Sequence, residues 1–254
     1  SDTNLGCKER VITGLNEVFA REEQAIILED DCLPHPDFFN YCETLLNRYK
    51  DDSRIGTING TSLPGVAATR NNASCVFTRF SIVWGWATTR RVWQLVDPEV
   101  KEWERLKKTD WLKKIFLGQN HVIYGVGSMF DQTRAGVDAW SYAMLFALLK
   151  NNLLNVHPAE NLISNIGFDH RAAHTYTVKS YSDLPLGNGW KHTSPGIPRH
   201  DPAADTLIFD TLYYWHLKKK TFFQKFRRKS WLAIYGFKQK LLPNISLKKV
   251  LFGK

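Results

Sequence analysis

Apolar positions along the chain recur with helical and strand periods in turn. In residues 8–20 (KERVITGLNEVFA), Val11, Leu15, Val18 and Phe19 fall three or four apart, predicting an amphipathic helix. Gln24 to Leu28 is a short apolar run that stops at three consecutive acids, Glu29-Asp30-Asp31. A buried parallel strand has this form, apolar within the sheet and polar where it leaves it. Pro34 and Pro36 break the chain, and Asp37 stands where it would cap a helix over 38–49. Phe38, Tyr41, Cys42, Leu45 and Leu46 form one stripe of that helix. Ile55–Ile58 predicts another short strand, ending at Asn59-Gly60. Helix, strand, helix, strand is the alternation of an α/β sheet with crossover helices.

After a Gly/Ala/Asn-rich loop at 63–74, strands are predicted over 76–80 and 82–86. Short helices follow over 90–95, 98–106 and 111–116, and residues 119–134 read as helical. Asp138 stands where it would cap a helix reaching 149, and short strands are predicted at 153–156 and 162–163. Residues 165–202, rich in Gly, Pro, His and Asp, read as a loop long enough to act as a functional lid. There is no internal repeat.

Composition changes this picture in one place. With 43% apolar and 23% charged residues over 254 positions, the chain is ordinary globular protein with a sizeable core. The net charge of +9 is unevenly placed, because residues 217–254 hold twelve Lys or Arg and no acid. Residues 1–216 therefore hold 22 basic and 25 acidic groups, a balance of −3. The sequence divides into a body, 1–216, and a basic aromatic tail, 217–254. An acidic body argues against nucleic acid as its partner. In the tail, Lys218-Lys219-Lys220 and Arg227-Arg228-Lys229 alternate with Phe222, Phe223, Phe226 and Trp231. Over 217–242 this suits an anionic membrane surface, a solvated charged segment, or a polyanion. Cys7, Cys32, Cys42 and Cys75 form no CxxC pair, so free thiols in a reducing compartment are expected rather than a zinc site. No apolar run approaches the roughly 18 residues that span a bilayer, and no signal peptide is seen.

The chemistry concentrates at Glu29-Asp30-Asp31. Adjacent carboxylates repel one another and are tolerated most easily in water or around a cation. Ligands of open α/β sheets bind at the carboxyl ends of strands, where these acids fall. Hard oxygen donors suit Mg²⁺ or Mn²⁺, which bridge to diphosphate oxygens. The plain alternative is a solvated acidic turn.

Asn4-Leu5-Gly6-Cys7-Lys8, a helix, and then Ala25-Ile26-Ile27-Leu28-Glu29-Asp30-Asp31-Cys32 resemble the nucleotide-sugar half of GT-A glycosyltransferases. The likeness is greater to the bacterial family-2-type transferases labelled hemolytic-protein-like. It continues through Pro34-His35-Pro36-Asp37-Phe38-Phe39, Trp84-Gly85-Trp86-Ala87-Thr88, Asp138-Ala139-Trp140 and Ser164-Asn165-Ile166-Gly167-Phe168, covering roughly residues 1–210. What it implies is a GT-A-like, Rossmann-related mixed sheet flanked by helices, to which the charge distribution adds a basic C-terminal appendage. It also implies sugar transfer from a nucleotide-sugar donor to a hydroxyl acceptor, by inversion, with Mn²⁺ or Mg²⁺. The acceptor would be a glycan or a lipid-linked glycan, and the enzyme cytoplasmic, peripheral on the inner face of the membrane through its tail. GT-A domains open with a strand–helix–strand that binds the base; by this likeness the sequence starts after it.

The resemblance assigns roles residue by residue. Asp31 would ligate the metal, with Glu29 and Asp30 on the donor side and Asn4, Gly6 and Lys8 near the nucleotide or diphosphate. A later His would join the metal: His174, with His170 as rival, unless either is simply a surface loop residue. Asp138 would be the base that deprotonates the acceptor hydroxyl, a helix N-cap, or both, with Asp131 and Asp169 as outsiders. Trp84, Trp86 and Trp140 would line the acceptor pocket or pack in the core. Two rivals stand beside the transferase: a metal-dependent nucleotidyltransferase, and a non-catalytic binding protein of the same fold.

Overall fold

The computed structural model describes residues 3–70, 74–167, 184–191 and 196–213. His170, His174, Asp169 and the basic tail lie outside them. The elements in chain order are α1 (Gly6–Arg21), β1 (Gln24–Ile27), β2 (Cys32–Pro34), α2 (Phe38–Arg48) and β3 (Ile55–Asn59). A 3₁₀ turn (Ala67–Arg70) leads to β4 (Cys75–Thr78), β5 (Trp86–Thr89), α3 (Arg90–Trp93), α4 (Trp103–Leu106) and α5 (Trp111–Ile115). The rest are α6 (Asn120–Arg134), α7 (Trp140–Lys150), β6 (Leu154–Pro158), β7 (Ile163–Asn165) and α8 (Pro202–Leu212).

A five-stranded sheet has the order β1-β5-β3-β6-β4, and β2 pairs with β7 in a separate two-stranded ribbon. Among the described strands of this sheet, β3 and β6 pair in parallel, and β1–β5, β5–β3 and β6–β4 are antiparallel. It follows that β1, β3 and β6 all point one way, and their carboxyl ends share one edge of the sheet. The fold is α/β with a mixed central sheet between helices. β1 shows the layering, with Ile26 packed on the α2 side and Ala25 and Ile27 on the α1–α7 side, as the two-residue strand period requires. No helix among the described residues is long and apolar enough to cross a membrane.

Several local expectations are met. The predicted stripe of α2 is buried at all five positions, Phe38 to Leu46. Residues 120–134 are helical. Others need correction. β1 is an edge strand, antiparallel to β5 and only half-buried, rather than a buried parallel strand. The strand predicted over 82–86 instead occupies Trp86–Thr89. Its polar centre is buried because the Thr88 hydroxyl donates to Gly56 O at 2.8 Å. Pro34 does not break the chain but closes β2, where a strand end tolerates its missing N–H.

Asp37 stands at the N-cap of α2 as expected, but two predicted cap bonds are missing. Asp37 makes no side-chain bond to α2; its Oδ2 accepts from Trp190 N at 3.0 Å. Asp138 does not cap α7, whose N-cap is Ala139 without a side-chain bond. The helix α8 begins at Asp201-Pro202, a favoured cap followed by a favoured first residue.

Candidate metal and donor site

The acids after β1 sit on a turn closed by Cys32 N donating to Glu29 O at 3.1 Å. The β2–β7 ribbon then fixes Asp31 from the far side. Ile166 N donates to Asp31 O at 2.9 Å, and Asn165 Nδ2 donates to Asp31 Oδ1 at 3.3 Å. Gly167 lies against the same carboxylate, and a Cβ there would overlap Asp31 Oδ2. Only glycine lets the chain pass so close, so the Ser164–Gly167 segment forms a cradle around Asp31.

Glu29, Asp31 and Cys32 each bring one ligand atom within 4.8 Å of the others. Burial pushes the Glu29 carboxyl up to about 7, and the Asp31 and Asp30 charges add to this. The Cys32 thiol is pushed up to about 12 by burial and then by Asp31 and Glu29, so it stays protonated at neutral pH. Two half-buried carboxylates with a neutral thiol beside them make a hard oxygen donor set. That fits Mg²⁺ or Mn²⁺ completed by water and phosphate oxygens better than a thiolate-seeking metal. Asp30 is exposed and outside this group; the close partner of Asp31 is Glu29. Cys32 was missed by sequence reasoning, although its place directly after the acids was visible.

The amino end of α1 meets the same edge. Asn4 Oδ1 accepts from Gly6 N at 2.9 Å, turning the chain into the helix, and Gly6 takes a left-handed φ of 75°. Cys7 N donates to Asp138 Oδ2 at 2.9 Å and Lys8 N to Oδ1 at 2.6 Å. Asp138 thus satisfies two first-turn N–H groups of a helix whose own N-cap, Leu5, makes no side-chain bond. The Cys7 thiol is raised by burial, then by Asp138 and by Glu29. α1 turns back directly into β1 and α7 into β6, so the amino ends of both helices lie at the carboxyl ends of those strands, the side on which the acid turn stands.

Asn4, Gly6, Glu29, Asp31 and Asp138 are thus gathered at one sheet edge. The Lys8 side chain is not among them: it is 15% exposed and its Nζ pairs with Glu99 at 3.2 Å. Trp86 and Trp140 stack at 5.7 Å, and at 0% and 4% exposure they belong to the core. Neither offers a sugar its face; the bulk that suits a pocket wall here fills the space between β5, α1 and α7. Trp84 is partly buried against the α2-side core. Asp131 accepts from Trp103 Nε1 at 2.8 Å on α6, a structural role.

No protein-family model matches the chain, and no curated protein matches it significantly.

Proposed function

We propose that this chain is a metal-dependent glycosyltransferase of the GT-A kind, moving a sugar from a nucleotide-sugar donor to a hydroxyl acceptor by inversion. The observation that carries it is the meeting of the Glu29–Asp31 turn with the α1–Asp138 junction where β1, β3 and β6 end. The motif resemblance over residues 1–210 supports it independently. Asp31 and Glu29 would hold Mn²⁺ or Mg²⁺, with His174 a further ligand by resemblance alone. The bound ion supplies Lewis acidity to the departing nucleoside diphosphate. Asn4 and Gly6 shape the turn that faces the donor, and Asp30 reaches it from the exposed side of the acid turn.

Asp138 is the proposed base. A carboxylate offers about four lone-pair positions, so accepting from N–H groups and acting as a base are compatible roles. Those bonds also fix its orientation, which a base needs before its pKa matters. The engagement of both Asp138 oxygens and the turning of Lys8 toward Glu99 favour a second reading, a GT-A-like binding protein without turnover. Residues 217–242 are proposed to dock the protein on an anionic membrane, where a lipid-linked glycan would be the acceptor.

A thermal-shift panel of UDP-, GDP-, CMP- and dTDP-sugars, each with and without Mn²⁺, tests the proposal. A rise with one donor that requires Mn²⁺ and disappears in Asp31→Ala is expected. A rise without hydrolysis or transfer selects the binding protein, and no response to any donor removes both.

A further inference from the structure

A cleft of ≈ 290 Å³ opens on the same sheet edge, on the far side from β1. It lies where β6 ends at Pro158 and β4 begins at Cys75, a register pair. Pro158, Ala159 and Ala67 are apolar members of its lining, and Glu160, Ser74 and Lys191 are polar ones; Glu160 Oε2 also accepts from Asn188 N at 3.4 Å.

One wall is Gly189–Lys191, the end of the segment 184–191, and that segment is pinned at both ends. Asn161 Nδ2 donates to Pro185 O at 3.1 Å, and Gly187 N donates to Asn161 O at 2.8 Å. At the other end Trp190 N donates to Asp37 Oδ2 at 3.0 Å, and the Trp190 ring meets Tyr41 edge-on at 5.4 Å. Gly189 has φ 87°, and a Cβ there would overlap Asp37 Oδ2. The wall is therefore preformed, as ligand pockets generally are. Asp37 also links it to the acid turn, because only β2 and two further residues, His35 and Pro36, separate Asp37 from Asp31.

The cleft is at the lower end of the roughly 300–1,000 Å³ usual for ligand pockets, room for a sugar ring rather than a nucleotide. Its polar groups include acceptors and donors of both charge signs around an apolar patch. Neutral hydroxyls, which donate and accept at once above C–H faces, match that mixture; a multiply charged phosphate would meet Glu160. We infer that this cleft is the distal part of the acceptor subsite, taking the neutral, hydroxyl-rich end of a glycan away from the reacting hydroxyl. The inference rests on the transferase reading for the word acceptor, and on the cleft alone for glycan binding.

The test is saturation-transfer NMR on the full chain with lactose, maltose, cellobiose and chitobiose, with and without Mn²⁺ and the panel of nucleotide sugars. At least one disaccharide is expected to receive saturation, and to lose it in Ala159→Trp and in Ala67→Phe, which add bulk to two separate stretches of the lining. Circular dichroism identifies a variant that has not folded, and Glu160→Gln, which adds no bulk, should weaken binding about tenfold. Absence of saturation transfer under every condition overturns the inference, as does transfer that survives both filling variants. If disaccharide binding is lost on filling while no nucleotide sugar ever gives a metal-dependent shift, the glycan site stands and the transferase reading falls.

Discussion

An aspartate satisfies the amino end of both α1 and α8, from far along the chain in one case and from the helix's own start in the other. At α8 the cap is local: Asp201 Oδ1 accepts from Ala203 N at 3.0 Å and Ala204 N at 3.1 Å, with Pro202 as the first helical residue. Its other oxygen accepts from the Thr69 hydroxyl at 2.9 Å. At α1 the corresponding bonds come from Asp138, 131 residues away from Cys7. Asp201 therefore caps its own helix and ties it to the 3₁₀ turn, away from the acids. The remote cap at α1 fixes two chain segments against each other, and here those segments frame the acid turn. The same chemistry serves stability at one helix and the geometry of a site at the other.

Substituting both caps should separate these roles most strongly. Asp138→Ala and Asp201→Ala are each expected to cost about 0.5–2 kcal/mol in thermal or urea unfolding, the usual worth of a helix cap. Only Asp138→Ala should also abolish Mn²⁺-dependent sugar transfer, by on the order of 10²–10⁴-fold for loss of a base. Equal losses of transfer in both variants would reduce Asp138 to a capping residue.

Two glycines sharpen the contrast at smaller scale. Gly6 and Gly118 have almost the same left-handed φ, 75° and 77°. An alanine at either should cost roughly 1–2 kcal/mol in backbone strain. A Cβ on Gly118 meets nothing within 4 Å, whereas one on Gly6 comes to 3.0 Å from Asp138 Oδ2. Gly6→Ala is therefore expected to melt lower than Gly118→Ala and to lose part of its donor-dependent thermal shift, while Gly118→Ala keeps the whole shift.

The comparison also marks what a sequence can disclose. The acid turn was legible because everything that defines it, the apolar run and the three acids, is adjacent. The stripe of α2 was legible because helical spacing alone decides which residues it buries. The Asp138 contact was not, since its partners are backbone N–H groups far along the chain, and any Asp before a helix looks like that helix's own cap. Asp37 misled in the same way, its carboxylate being used by Trp190. β5 was misplaced because buried Thr88 looks polar in a sequence until the Gly56 carbonyl that satisfies it is known. The Asp201-Pro202 signal was local and readable, yet no helix was assigned there.

The smallest effect is a difference in how the two sides of the molecule titrate. On the acid-turn side, the folded Glu29 carboxyl is raised to about 7 from 4.5. Above pH 7 it is ionised both folded and unfolded, and its buried charge is a full cost. As the pH falls through 7 the folded form takes up the proton first, so this side gains stability, completely so below 4.5. On the α8 side, His157 is buried with its ring nitrogens 3.1 Å from Thr61 O and 3.0 Å from Phe80 O. Burial lowers its pKa from 6.5, against the opposing pull of those carbonyls and of Asp205. As the pH falls through 6.5 the unfolded chain binds the proton first, so this side loses stability. The two trends oppose each other below neutrality and should flatten the acid limb of a melting-temperature profile. Glu29→Gln removes the gain, so its melting temperature should lie above wild type at pH 8 and fall more steeply on acidification. His157→Gln removes the loss and should give a profile that rises toward pH 5, whatever its absolute stability. On the proposed reading Mn²⁺ displaces the Glu29 proton, so the stabilisation it gives should shrink below pH 7 in the wild type and be absent in Glu29→Gln. A Mn²⁺ effect that is constant from pH 5 to 8 would place the ion away from Glu29, and with it the centre of the site away from the acid turn.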